Sequence, residues 1–269
     1  MNVRILRIAT LVCTLVLFAA TPLVAQDDAA EAEAAAKAAA NANNPLANMV
    51  AFNIQNYHYA ELYGTDDTAN TAWLRFVKPF GRWLMRASLP ISTVPVAGEL
   101  DPTSGLGNFN VFFSYLLSDP SSPTQFGVGP MVTMPTASDN NLGSDTWQGG
   151  AAAVYFNAES QILQWGGLVT YQTSFAGDGA DVSMAALQPF YFFQIGKGVY
   201  LRGAPIWVFN LEDDSYSVPF GLGIGKVLKK DRTVFNIFIE PQWTLLHSGV
   251  GQPEFAVFVG LNMQFLPGE

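Results

Sequence analysis

The chain has 269 residues, of which 49% are hydrophobic, 13% aromatic and only 13% charged. A soluble domain carries about 25% charge, so this composition excludes a disordered protein and does not suit an ordinary soluble enzyme. A single cysteine excludes a disulfide framework or a cysteine-rich zinc site, and a formal charge of −9 excludes the basic footprint that nucleic acid requires.

Residues 1–25 read as a secretory signal peptide. Arg4 and Arg7 give a positive start, Ile8 to Ala20 is almost wholly apolar, and Ala25 is a small residue at the expected cleavage point. The apolar core is shorter than the ~20 residues of a spanning helix. Cys13 lies inside that core and not at the cleavage point, where a lipidated cysteine would stand. Residues 26–48 form an Ala-rich leader that favours a short helix, ended by Asn43, Asn44 and Pro45. It has no apolar face worth burying and is expected to be solvated on the periplasmic side. A plug is the alternative role.

Residues 49–269 change period. In Phe255–Phe265 the odd positions are large and apolar, and Ala256, Gly260, Asn262 and Gln264 are small or polar. That alternation predicts a strand with one apolar face. It recurs in twelve segments, near 49–60, 70–79, 82–93, 107–118, 124–135, 147–158, 161–174, 182–195, 198–210, 216–228, 233–246 and 254–265. Each meets or exceeds the ~9–11 residues of a tilted membrane strand. Short connections alternate with long ones. The long loops carry Asp and Glu without Lys or Arg, while the short turns hold Lys197, Lys229, Lys230 and Arg232. Trp83, Tyr115, Trp147, Tyr155, Trp165 and Trp243 fall near segment ends, as interfacial girdles do. The fold class expected is all-β: a transmembrane antiparallel barrel of about twelve strands, both termini on the short-turn side.

The stretches 105–118 (GLGNFNVFFSYLLS), 126–156 and 235–246 (FNIFIEPQWTLL) resemble a family of bacterial outer-membrane barrels. Its members are filed as transporters of the phenol meta-cleavage pathway or under the label neuromedin U. The resemblance covers roughly 46–265 and implies a Gram-negative outer-membrane channel for small molecules, aromatic ones among them. Phe265 resembles the end of a barrel-assembly signal, although Leu-Pro-Gly-Glu follows it.

By parity the lumen face carries Arg75, Arg82, Arg86, Arg202 and Glu240, together with Tyr57, Trp73, Phe112, Phe190, Phe192 and Phe238. If Phe80-Gly81 is the turn, Arg75 stands directly opposite Arg86, a repulsive pair that Glu240 is placed to offset across the lumen. The cluster reads either as a brace of a narrow barrel or as an anion-attracting constriction. The aromatic residues read as a path or as filling. Eight strands are filled by side chains and sixteen leave a channel, so twelve imply a narrow pore.

No catalytic set is evident. His247-Ser248 lacks a third partner, and Phe220–Lys226 lacks the spacing and the hydroxyl residue of a phosphate loop. Its glycines at 221, 223 and 225 read as small lumen-facing residues. No cofactor or metal is expected, although the acidic loops carry oxygen ligands of the kind divalent cations accept. The expected function is passive passage of small molecules, aromatic or anionic ones among them. A non-transporting structural or surface-interaction barrel is the alternative, with a membrane enzyme third. Expected partners are outer-membrane lipid and lipopolysaccharide, the barrel-assembly machinery and a small-molecule solute, with no nucleic acid.

Overall fold

The computed structural model describes residues 41–266. The expected signal peptide and residues 26–40 of the leader lie outside them. The strands in chain order are β1 (Val50–Leu62), β2 (Ala69–Phe80), β3 (Trp83–Val94), β4 (Thr103–Leu106) and β5 (Phe109–Leu116). There follow β6 (Thr124–Met134), β7 (Thr146–Asn157), β8 (Leu163–Gly177), β9 (Ser183–Gly196) and β10 (Val199–Gly203). The last five are β11 (Trp207–Asn210), β12 (Tyr216–Gly221), β13 (Gly223–Lys230), β14 (Thr233–Ser248) and β15 (Pro253–Phe265).

All pairings are antiparallel, and β15 pairs with both β1 and β14, which closes the sheet. β10 and β11 run as one interrupted stave, as do β12 and β13. β4 is a short addition in a long loop and pairs only with β3. The wall is therefore a closed twelve-stave barrel, as the twelve alternating segments predict. Closure leaves no open edge, which a spanning sheet requires because lipid offers no hydrogen bonds.

Alternation sets the faces. Val128, Val169, Leu201, Ile237 and Val259 point outward and are exposed, while Gln148, Gln164, Asn236, Glu240 and Gln264 point inward and are buried. A polar interior under an apolar exterior inverts the order of a soluble protein and matches a barrel solvated by acyl chains. Aromatic pairs mark both ends of the belt. Trp83 packs on Tyr115 (5.1 Å) and Tyr155 on Trp165 (5.4 Å) at the short-turn end, and Trp243 packs on Phe255 (5.5 Å) at the other.

The turn between β2 and β3 departs from expectation. Phe80 pairs with Trp83, so Gly81-Arg82 is the two-residue turn, and Arg82 leaves the lumen face expected for it to bind the carbonyls of Leu116, Leu117 and Ser118. Gly81 has φ +62°, and a glycine at the first central position with positive φ suits a type II′ hairpin turn. Each strand thereby slips by one residue from the expected register. Both faces are preserved, because a paired slip keeps parity. The neighbours change: Arg75 lies opposite Ser88 and Arg86 opposite Val77.

The wall breaks on one side at mid-height. Pro189, Pro205, Pro219 and Pro241 fall on four successive staves, and the ladder lapses over residues 204–206 and at Leu222. Proline donates no backbone hydrogen bond, so the neighbouring groups need other partners. Side chains supply them. Tyr191 Oη donates to the Gly221 carbonyl (2.9 Å), Trp207 Nε1 to the Pro219 carbonyl (3.0 Å) and Gln188 Nε2 to the Ala204 carbonyl (3.0 Å).

Candidate functional site

The break explains Glu240. It is fully buried, and its carboxylate accepts from Arg202 Nε (2.7 Å), the Ala204 backbone N–H (2.8 Å) and Gln242 Nε2 (2.8 Å). Arg202 in turn lies over Phe238, with Cζ 3.5 Å from the ring centroid, and near Phe258 and Phe192. The glycine run noted in the sequence makes room for this packing. A Cβ at Gly221 would come 2.2 Å from Glu240 Oε1, and one at Gly225 would come 2.3 Å from the Tyr200 ring. Arg202 and Glu240 thus brace the interrupted wall. The expectation that Glu240 offsets Arg75 and Arg86 is corrected: its lone pairs are taken by neighbours on its own side of the barrel.

Two cavities occupy the lumen. The one toward the long loops has a volume of about 600 Å³, and the one toward the short turns about 170 Å³. Arg75, Arg86, Phe112, Leu168 and Gln188 border both, and so form the waist between them. Arg75 and Arg86 are the charged side chains lining the larger cavity, and no described carboxylate lines it. Arg75 Nη1 donates to Gln55 Oε1, and its Cζ sits 4.8 Å from the Trp73 ring centroid. Arg86 sits 4.2 Å from the Phe112 centroid. Among the described residues neither meets a carboxylate; Arg202–Glu240 is the ion pair found there.

The expected lumen residues divide into two groups. Tyr57 and Trp73 line the larger cavity. Phe190 and Phe192 fill the short-turn half with Phe156 and Tyr200, while Phe238 packs with Tyr57 and Phe258. Phe112 joins the filled half and also edges the waist. Phe258, Gln55, Ser88, Leu168 and Gln188 were not singled out in the sequence. Parity alone places Phe258, Gln55 and Ser88 inward, whereas no local signal marks Leu168 or Gln188 as waist residues.

Residues 42–46 pack into the short-turn end of the lumen, contrary to the solvated leader expected there. Ala42 and Leu46 are buried in the lumen core. Asn44 Nδ2 donates to Gln125 Oε1 (2.9 Å) on β6. From the opposite wall, Asn236 Nδ2 donates to Asn43 Oδ1 (2.9 Å) and Gln264 Nε2 to the Ala42 carbonyl (3.2 Å). Asn43 and Asn44 meet amides of the wall, and Ala42 and Leu46 supply the apolar contact.

His247 stacks on Tyr63 at 3.4 Å, at the long-loop end of the wall. In the acidic loops, the Ser215 hydroxyl and backbone N–H hold the Asp213 carboxyl below the usual carboxylate range. At a short turn, Ser121 does the same for Asp119. Among the described residues no three His, Cys, Asp or Glu side chains converge as a metal would need.

Neither a protein-family model nor a curated protein matches this chain. Solved structures do. An outer membrane channel from Pseudomonas putida F1 is 14% identical, aligns over 81% of this chain and 96% of its own, and gives a TM-score of 0.59. The NanC porin is 8% identical over 81% of this chain and 100% of its own, with a TM-score of 0.53. The chain has the fold of outer-membrane channel barrels. At these identities the likeness is one of fold.

Proposed function

We propose that the protein is an outer-membrane channel through which small solutes diffuse, and that its waist favours anions. The observation that carries this reading is the charge inventory of the larger cavity, which holds Arg75 and Arg86 and no described carboxylate. Selectivity in a narrow pore follows lumen size and the sign of its lining charge. The sequence resemblance extends the solute range to small aromatic molecules, and the rings of Tyr57 and Trp73 on the cavity wall suit them. The outward apolar belt would face outer-membrane lipid, with the barrel inserted by the barrel-assembly machinery and its acidic loops at the lipopolysaccharide surface.

Reversal potentials under a salt gradient test the reading. The wild-type pore is expected to prefer chloride over potassium, and Arg75→Gln/Arg86→Gln is expected to move the reversal potential toward cations. A wild-type pore that prefers cations contradicts it. The packing of residues 42–46 into the short-turn end favours a second reading, a barrel that conducts nothing and works through its loops. Absence of current both in the whole chain and in one lacking residues 43–47 selects that reading.

A further inference from the structure

The two waist arginines have unspent hydrogen-bonding capacity. Arg75 Nε and Arg86 Nε are buried without partners, and so are Tyr57 Oη and Ser88 Oγ. Tyr57 and Ser88 are 4% and 3% exposed, and both line the larger cavity beside the arginines. Unpaired buried donors are costly, and native structures seldom keep several together without a ligand or water to meet them. All four groups can donate. The register places Arg75 opposite Ser88 and Arg86 opposite Val77, which makes the arginines diagonal neighbours on adjacent strands. Each guanidinium also packs on a ring, Arg75 on Trp73 and Arg86 on Phe112. This fixes the plane of the donor fork before a ligand arrives.

The rest of the cavity is of another kind. Met131, Leu168, Met184, Ile206 and Val208 give it an apolar wall. A bare inorganic anion would satisfy the arginines and leave that wall wet. An anion with a compact apolar body satisfies both, and a volume of about 600 Å³ lies in the range of small-ligand sites.

We infer that the larger cavity binds an organic monocarboxylate, with its carboxylate held by Arg75, Arg86, Tyr57 and Ser88 and its apolar body against the methionine-bearing wall. This rests on reading the lumen as the solute's path. Carboxylate is the group that the planar fork of arginine meets with paired hydrogen bonds. The low local dielectric of the waist strengthens those bonds and shields them from salt.

Calorimetric titration of the purified full chain in detergent tests the site without requiring current. Benzoate is the probe, with benzamide as its uncharged isostere and inorganic phosphate as the bare oxyanion. One benzoate is expected per chain, with benzamide at least about tenfold weaker. Arg75→Gln and Arg86→Gln should each weaken benzoate by about tenfold or more, and Arg86→Lys should keep part of the affinity. Arg82→Gln should leave it unchanged, because Arg82 binds the carbonyls of Leu116, Leu117 and Ser118 outside the lumen. Heat-modifiable mobility on gels confirms that each variant is folded. Equal binding of benzoate and benzamide, undiminished binding by the glutamine variants, or phosphate tighter than benzoate overturns the assignment. A barrel that conducts ions but binds no benzoate overturns the site alone. One that binds benzoate but passes no current overturns the channel reading alone.

Discussion

Removing Glu240 should destabilise the barrel more than any other single change in the lumen. The carboxylate accepts three hydrogen bonds, one of them from a backbone N–H that the broken ladder leaves without a strand partner. In Glu240→Ala the guanidinium of Arg202 stays buried among Phe192, Phe238 and Phe258 with no counter-charge. Breaking a buried ion pair by deleting one partner costs about 3–5 kcal/mol. The orphaned Ala204 N–H contributes part of that range, since an unmet buried donor costs about 1–3 kcal/mol. Arg202→Met with Glu240→Ala removes both charges and should recover most of the loss, because apolar replacement of a buried pair is often neutral. Urea unfolding in lipid vesicles, followed by tryptophan fluorescence, gives the four free energies of the double-mutant cycle: wild type, Glu240→Ala, Arg202→Met and the double variant. A loss below about 1 kcal/mol for Glu240→Ala, or a double variant no more stable than the single, would refute the brace.

Further outcomes follow from the same geometry. Val257 faces outward, while Asn262 lines the smaller cavity and accepts a hydrogen bond from Gln55. Val257→Arg should therefore cost about 2–4 kcal/mol and Asn262→Arg far less, and equal costs in the same unfolding assay would contradict the assignment of faces. Deleting residues 43–47 removes the contacts of Asn44 to Gln125 and of Asn43 to Asn236 and widens the short-turn end. Liposome swelling with small sugars should accelerate, and an unchanged rate would show that the segment does not limit passage. Acidification through the carboxylate range neutralises the long loops while the arginines keep their charge, so anion preference should rise as pH falls. Asp213, held low by Ser215, should keep its charge below the usual carboxylate range. Preference that falls with pH would show that the loops, and not the waist, set selectivity.

The wall was legible in the sequence because alternation is local. Phe255 to Phe265 shows its two faces in eleven residues without reference to any other strand, and the same holds for β5 and β14. What alternation does not carry is which inward residues meet. Arg75 and Arg86 share a face under either register, so their lumen position survives, but one turn residue decides whether they are directly opposed. The partnership of Glu240 was hidden for a related reason. It depends on the lapse of the ladder at Ala204, which leaves that N–H free on another stave, and no pattern within β14 records that event. The buried leader lay outside the alternation signal altogether. Its three asparagines at 41, 43 and 44 were visible, but the amides that meet Asn43 and Asn44 come from β14 and β6, brought together only when the barrel closes.

The central claim is that this barrel conducts and that its waist is positive. Single-channel recording of the purified full chain in planar bilayers addresses it most directly, with reversal potentials read under a potassium chloride gradient. The account predicts discrete unitary currents whose reversal potential lies on the chloride side and moves toward potassium in Arg75→Gln/Arg86→Gln. A bilayer that stays silent, or currents whose reversal potential lies on the potassium side, would contradict it.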